Sequence, residues 1–490
     1  MKPSTHKISR WLFLRLLGAA YLSAFVSLWV QVDGLIGSNG ILPARDFLES
    51  AGAALGPERF WWLPTLCWLD SSDRFLHVLS GGGAALSLLL ILGVAPVPSL
   101  VLLWAAYLSL ASVGQDFLSF QWDILLVETG FLAIFLAPLK LWPRLADEPE
   151  PPRPVVWLCR WLLFRLMFSS GAVKLLSGDS SWWSLSALEY HYWTQPLPTW
   201  LGWYANLLPA WFQTVSCAVM FAIELGAPCL IAAPQSFRLV AFFAILFLQL
   251  LILATGNYCF FNLLTVALCF LLLDDAVWPA RARAWLGADR SQPHGRAWPR
   301  WIIHPVAALI VVLSVIQVFD FSRLSPGSSH WLHRLRRATA PLRLVNGYGL
   351  FAVMTTTRPE IVVEGSDDGA TWSDYEFRWK PGDLARAPAF VEPHQPRLDW
   401  QMWFAALGTY RQNPWFVSFV LRLLEGSKEV LDLLEKNPFA DHPPRAVRAV
   451  LYRYTFTDLA ERRATGRWWR RERVGLYLPA VSLESFRRRG

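Results

Sequence analysis

The sequence predicts a polytopic α-helical membrane domain of about nine spans, followed by a β-rich extramembrane domain of α+β or β-sandwich type. Three observations carry that expectation. Of the 490 residues, 54% are hydrophobic and only 17% are charged, against about 45–50% and about 25% in a soluble domain. Apolar runs of about 20 residues, the length that crosses a ~30 Å hydrocarbon core, recur through the first part of the chain. Beyond residue 340 these runs give way to short alternating segments separated by polar turns.

The runs occupy residues 11–31, 75–94, 97–115, 121–139, 155–175, 209–232, 236–255, 257–273 and 301–319. The first is long for a signal-peptide core and lacks a clear small-x-small cleavage site, so it reads as a span. The seventh and eighth meet at Thr255-Gly256-Asn257, which suits a re-entrant feature. The 28 tryptophans fit an interfacial belt, and Trp61-Trp62 and Trp182-Trp183 flank apolar runs.

Basic residues orient the spans. Lys2, Lys7 and Arg10 precede the first span; Lys140, Arg144 and Arg153 follow the fourth; Arg281, Arg283, Arg290, Arg296 and Arg300 follow the eighth. With nine spans all three clusters fall on one side, which the positive-inside rule makes cytoplasmic. The chain beyond residue 320 is then extracytoplasmic. Topology thus accounts for part of the net charge of +8, and no recognition motif points to nucleic acid.

The expected division is a multi-span domain at 1–320, a linker at 321–344 and a β-rich extracytoplasmic domain at 345–490. Within the last, Ile361 to Glu364 and Thr371 to Trp379 flank Ser366-Asp367-Asp368-Gly369 and read as a hairpin. Phe416 to Glu435 has helical apolar spacing, and Arg445 to Phe456 alternates as a strand for 468–478 to pair with.

Ionisable residues inside spans are costly and are functional candidates by default. Asp123, Glu128, Arg160, Arg165, Lys174 and Glu224 are such residues. Asp123 and Glu128 project about 140° apart on one helix, so they need not share a partner. Arg165 and Lys174 are the natural counter-charges. An ion-pair network that fixes helix packing is one reading; a polar cavity open to the outer side is the other. Glu189, His191 and Gln195 follow the fifth span in a Trp-rich loop, where a lone His191 is either structural or a ligand or catalytic group. Asn257 and Asn262 flank Phe260-Phe261, where freed backbone needs amide partners. His394 and Asp399 suit acid–base chemistry or a docking hinge; no Gly-x-Ser-x-Gly nucleophile motif accompanies them. The six cysteines show no metal-ligand spacing. Cys67 and Cys259, both near the outer layer, leave a disulfide open. No cofactor and no metal is expected.

Several strings resemble the lipase maturation factor family. They lie at 31–43 (QVDGLIGSNGILP), 112–131, 164–174, 189–196 (EYHYWTQP), 255–262 (TGNYCFFN), 348–369 and 393–404 (PHQPRLDWQMWF), in the family's order and across most of the chain. The resemblance implies a membrane factor without cofactor that helps secreted proteins, by the family's name lipases, to mature on the lumenal or periplasmic side. It places the chain in the endoplasmic reticulum membrane of a eukaryote or, for a chain this short, the cytoplasmic membrane of a bacterium. The expected working surface is the outer face, with Gln115, Asp116, Gln121, Trp122, Glu189, Gln195, Asn257 and Asn262 on it, and its partners are the lipid bilayer and a secreted client. The membrane half also resembles, more weakly, the membrane domain of vitamin K-dependent carboxylases. That resemblance rests on Val173-Lys174-Leu175 and implies a lysine base at Lys174, although Val173 stands where those enzymes have a second lysine. A transporter is the third alternative, without an inverted repeat to support it.

Overall fold

The computed structural model describes residues 5–287, 296–321 and 330–487. Lys2, Arg290 and residues 322–329 of the expected linker lie outside them. Among the described residues, seven helices are long and apolar enough to cross a membrane: α1 (Lys7–Trp29), α2 (Asp73–Leu92), α3 (Pro96–Val113), α5 (Arg153–Leu176), α7 (Ala210–Ala232), α8 (Gln235–Thr255) and α10 (Arg300–Val318). The expected count of nine is therefore not met by length. The fourth and eighth predicted spans form α4 (Gln121–Leu136) and α9 (Phe261–Phe270). At 1.5 Å per residue they measure about 24 and 15 Å, short of a ~30 Å core. The apolar runs overstate both helices, because their ends are extended or turning chain. Pro138 closes the first run, and Gly256 and Asn257 precede the second in non-helical backbone.

Local sequence sets the helix ends. Ser72 caps α2 by accepting the Phe75 amide at 3.3 Å, and Gly93 closes it with φ of 78°, a left-handed conformation that costs glycine little. Prolines occupy the first turns of α3 and α5, where no intrahelical N–H is lost. At the junction after α8 the helix ends at Thr255. Gly256 is extended and bridges Pro198, and the chain turns directly into α9.

The tail holds one antiparallel sheet of five strands in the order β3-β2-β1-β4-β5, with β1 at Arg358–Ser366, β2 at Ser373–Phe377, β3 at Leu434–Lys436, β4 at Ala446–Phe456 and β5 at Trp469–Val481. The predicted hairpin is β1–β2, with Gly369 at φ 74° in its turn. β1 pairs along its full length with β4, and β4 pairs with β5. A sandwich is not formed: α11 (Arg397–Ala406) and α12 (Pro414–Glu425) supply the apolar layer instead, and Phe419 lies 6.0 Å from Phe377. The predicted helix over Phe416 to Glu435 stops at Glu425 because Gly426 turns left-handed at φ 69°.

The core is continuous from the bundle into the sheet. Gly34, in a short helix after α1, shows how closely the two parts meet. A Cβ there would lie 2.3 Å from the Glu429 carbonyl oxygen. All six cysteines are free, so the pairing left open for Cys67 and Cys259 is not made.

Candidate functional site

The intramembrane charges resolve into separate ion pairs, two of them closed by the tail. Glu128, midway along α4, is paired with Arg165 of α5. The chain after α10 re-enters to complete its shell: the Tyr348 hydroxyl donates to Oε2 at 2.7 Å, and the Asn346 backbone and side-chain amides donate at 3.0 and 2.9 Å. Asp123, in the first turn of α4, is paired with Arg397 of the tail. The guanidinium reaches Oδ1 at 2.9 Å and Oδ2 at 3.1 Å, donates to the Phe117 carbonyl at 2.6 Å, and meets the Tyr107 hydroxyl at 3.3 Å. Tyr107 donates to Asp123 at 2.5 Å. Both charged side chains are 0% exposed. The expectation that Asp123 and Glu128 need not share a partner matches this geometry. Arg165 pairs with Glu128 and also donates to the Asn346 carbonyl at 2.9 Å, whereas Arg160 donates to the Leu271 carbonyl at the opposite end of the bundle.

A second tail arginine works on backbone. Arg358, at the start of β1, donates to the carbonyls of Trp193 (3.0 Å), Gln195 and Pro196 (2.8 Å), at the end of α6 (Leu188–Thr194). A cation suits those unpaired helix-end carbonyls. Glu360 holds it at 2.7 Å, and Trp469 stacks beneath it. Burial lowers the Arg358 pKa, and the adjoining Glu360 carboxylate raises it.

The predicted outer-face residues mostly form this junction. Asn257 is its hinge: its Nδ2 donates to the carbonyls of Leu197 (3.0 Å) and Ala389 (2.8 Å), and its Oδ1 accepts the amides of Val391 (2.7 Å) and Glu392 (3.2 Å). The Tyr258 amide donates to the Glu392 carboxylate, whose pKa burial pushes up to about 8 against that bond. Gln121 accepts the Gly349 amide at 3.0 Å, Gln115 donates to the Leu42 carbonyl at 3.1 Å, and the Asp116 carbonyl accepts from Gln401. Trp122 stacks on Phe120 and packs edge-on against Trp400. Glu189 stays exposed. Asn262 faces inward and donates to the Gln249 carbonyl at 3.4 Å.

His394 and Asp399 do not form an acid–base pair. Asp399 accepts the Trp379 and Lys380 amides at 2.9 and 2.8 Å, while the His394 ring packs near Trp379. Burial, with Arg397 and Arg378 nearby, lowers the His394 pKa to about 4.

Behind the junction lies a cavity of about 570 Å³, walled by α5, α6, α7, α8 and α9. Lys174 and Glu224 meet on its wall, with Nζ 2.8 and 2.7 Å from the two carboxylate oxygens and 3.1 Å from the Ser170 carbonyl. Glu224 is carried inward by a π-helical segment, Ala222–Gly226, a distortion often found at functional sites. Trp182 covers Lys174 at 5.4 Å. A second hollow of about 550 Å³ lies between the two parts, lined by Phe120, Gln121, Val353, Trp403 and Phe404 among others. Among the described residues, no cluster of His, Cys, Asp or Glu is arranged to hold a metal.

Sequence reasoning missed Arg397, Arg358, Tyr348, Asn346 and Glu392. The strings at 348–369 and 393–404 carried Tyr348, Arg358 and Arg397, but nothing local marks their long reach to the bundle.

Comparison with known proteins agrees with this two-part organisation. The family model of the lipase maturation factor transmembrane domain matches residues 8–280, and that of the lipase maturation factor C-terminal domain matches residues 344–479. The chain is 39% identical to lipase maturation factor 2 of Homo sapiens over 97% of its own length and 83% of that protein's. It is 38% identical to lipase maturation factor 2 of Gallus gallus over 97% and 81%. It is 34% identical to lipase maturation factor 1 of Mus musculus over 99% and 89%. No solved structure matches it.

Proposed function

Because the chain belongs to the lipase maturation factor family, we propose that it is a multi-pass membrane factor that assists secreted lipases to mature, working on the side where its tail is docked. The observation that carries this reading is the junction itself. Buried ion pairs and backbone bonds join the tail to one end of the bundle, so both parts present a single outer surface. On it, Val353, Phe404 and Leu407 are 65%, 42% and 44% exposed around the second hollow. Exposed apolar area rimmed by polar groups suits a non-native client.

The proposed topology has nine crossings, with the N-terminus cytoplasmic and the tail lumenal or extracytoplasmic. Contacts at the ends of the two short helices support it. Gln121 bonds to the tail segment at Gly349, whereas Ala137 accepts from Trp298 at the start of α10. Asn257 bonds to the tail, whereas Asp275 accepts the Lys7 and Ile8 amides of the N-terminal segment. The chain thus passes from one end of the bundle to the other through α4 and again through α9. The proposed domain limits are 1–320 and 345–490, and the proposed membrane is the endoplasmic reticulum of a eukaryote or its bacterial counterpart. Lys174 is read as an ion-pair partner rather than a base, since its ammonium hydrogens are engaged by Glu224 and Ser170.

The test is a host lacking the factor that co-expresses this chain with a secreted lipase. Lipase activity should appear with the chain, and a photoreactive residue at position 404 should capture the lipase. Normal lipase activity without the chain, together with no lipase adduct from position 404, would overturn the reading.

A further inference from the structure

The connection between α1 and α2 holds an arginine that no protein acceptor engages. The Arg59 guanidinium carbon lies 4.9 Å from the ring centroids of both Phe60 and Trp68. Its Nε is closed off against them. The two Nη groups are not, and among the described residues they make no hydrogen bond or ion pair. Arg59 borders an open hollow of about 680 Å³ that Arg45, Glu49, Trp68, Leu69 and Asp70 also line. Two rings brace the guanidinium in one orientation, which favours a bidentate oxyanion such as a phosphate or a carboxylate.

Depth narrows the choice. The Thr65 hydroxyl donates to the Ser109 carbonyl at 3.1 Å, and the Leu66 amide donates to the Ser109 hydroxyl at 3.0 Å. Ser109 lies about one turn, ~6 Å, before the end of α3 at Val113. The loop is therefore fixed beside the last turn of a membrane-crossing helix, at the level of lipid head groups. Phe60, Trp61 and Leu69 are 59%, 53% and 81% exposed there, as side chains that enter the bilayer interface are. The same connection bonds to the tail, with Arg422 donating to the Gly40 carbonyl at 2.8 Å. The hollow thus opens on the tail side of the bilayer.

Charge selects the head group. Asp70 accepts the Ser72 amide and hydroxyl at 2.8 and 2.9 Å and stands in the field of Arg45 and Arg74. Glu49 is exposed and, among the described residues, unbonded. Arg59 and Glu49 are then opposite charges on one hollow, with no ion pair between them. An anionic head group would satisfy Arg59 and be repelled by Glu49; a zwitterion satisfies both.

We propose that this hollow seats the head group of a zwitterionic phospholipid of the tail-side leaflet, its phosphate on the Arg59 Nη groups and its ammonium facing Glu49. The proposal rests on α2 and α3 crossing the membrane and not on the identity of the client. The test places a photoreactive residue at position 69 of the full chain, in nanodiscs of equal phosphatidylcholine and phosphatidylglycerol, and identifies the lipid adducts by mass spectrometry. Phosphatidylcholine adducts should exceed phosphatidylglycerol adducts at least about threefold, the size of an exposed ion pair. The same residue at position 88, where Leu88 of α2 is 49% exposed, should return the bulk ratio. Arg59→Gln should lower the total lipid adduct at position 69 at least about threefold. Glu49→Gln, a change at an exposed position, should return the position-69 ratio to bulk. Should Arg59→Gln melt below wild type, the Glu49→Gln ratio decides. A bulk ratio at position 69, a ratio unchanged by Glu49→Gln, or capture of a co-expressed secreted lipase in place of lipid would overturn the proposal.

Discussion

Arg397→Met should release the tail from the bundle, and the size of the effect follows from the geometry. The substitution keeps length and apolar packing but removes the charge. It leaves Asp123, 0% exposed, with only the Tyr107 hydroxyl, and leaves the Phe117 carbonyl without its donor. Breaking a buried ion pair by removing one partner costs about 3–5 kcal/mol, or roughly 100- to several-thousand-fold in the docking equilibrium at 1.36 kcal/mol per decade. That is a large share of a typical stability of about 5–15 kcal/mol. Cys259 reports the event, since it is 2% exposed and follows Tyr258, whose amide holds Glu392 of the tail. Cys269, 0% exposed within α9, is the internal control. Alkylation of Cys259 in nanodiscs should accelerate by at least about 100-fold in the variant, with Cys269 much less affected. The double variant Asp123→Leu/Arg397→Met removes both charges and should recover a large part of the loss, because apolar replacement of a buried pair is often nearly neutral. A single variant within about threefold of wild type, or a double variant no better than the single, would refute the claim that this pair holds the junction.

Asn257→Ala strips partners from two carbonyls and two amides; a loss of at least about 2 kcal/mol is expected in a urea or thermal unfolding series, with Cys259 exposed first. Glu392 has a pKa raised to about 8 by burial, so its folded form binds a proton that its unfolded form, near 4.5, releases. Its contribution is complete below about pH 4.5 and is lost as pH rises through about 8; melting temperatures should fall over that window, and Glu392→Gln should flatten the fall. Asp368 titrates in the opposite sense. The amides of Thr371 and Ala370 and the Ser366 hydroxyl hold its pKa down to about 2, so the hairpin turn is supported above about pH 4 and loses that support as pH falls through about 2. Asp368→Ala should remove this acid sensitivity in a circular-dichroism titration. Gly34→Val places side-chain atoms where the Glu429 carbonyl already lies, and limited proteolysis should show a tail cut more readily than in wild type.

Much of the fold was legible because membrane spans and alternating strands are local patterns. The apolar runs located every span-like helix, and the polar turn at Ser366 to Gly369 located the first hairpin. The errors have local causes as well. Hydropathy alone does not distinguish a helix from apolar chain turning inside protein, so α4 and α9 came out too long. The single sheet was not separable from a sandwich, because the layer covering it comes from α11 and α12 rather than from further strands.

The sequence by itself determined that Asp123, Glu128, Lys174 and Glu224 are charges placed in an apolar medium, and that such charges require partners. It did not determine which. Glu128 found Arg165 on the adjoining helix and Lys174 found Glu224 fifty positions on, but Asp123 found Arg397 across 274 positions. A carboxylate in hydrocarbon is visible in one dimension because burial is a property of its neighbours in the chain. The guanidinium that satisfies it is chosen by where the tail docks, and only the tertiary structure decides that.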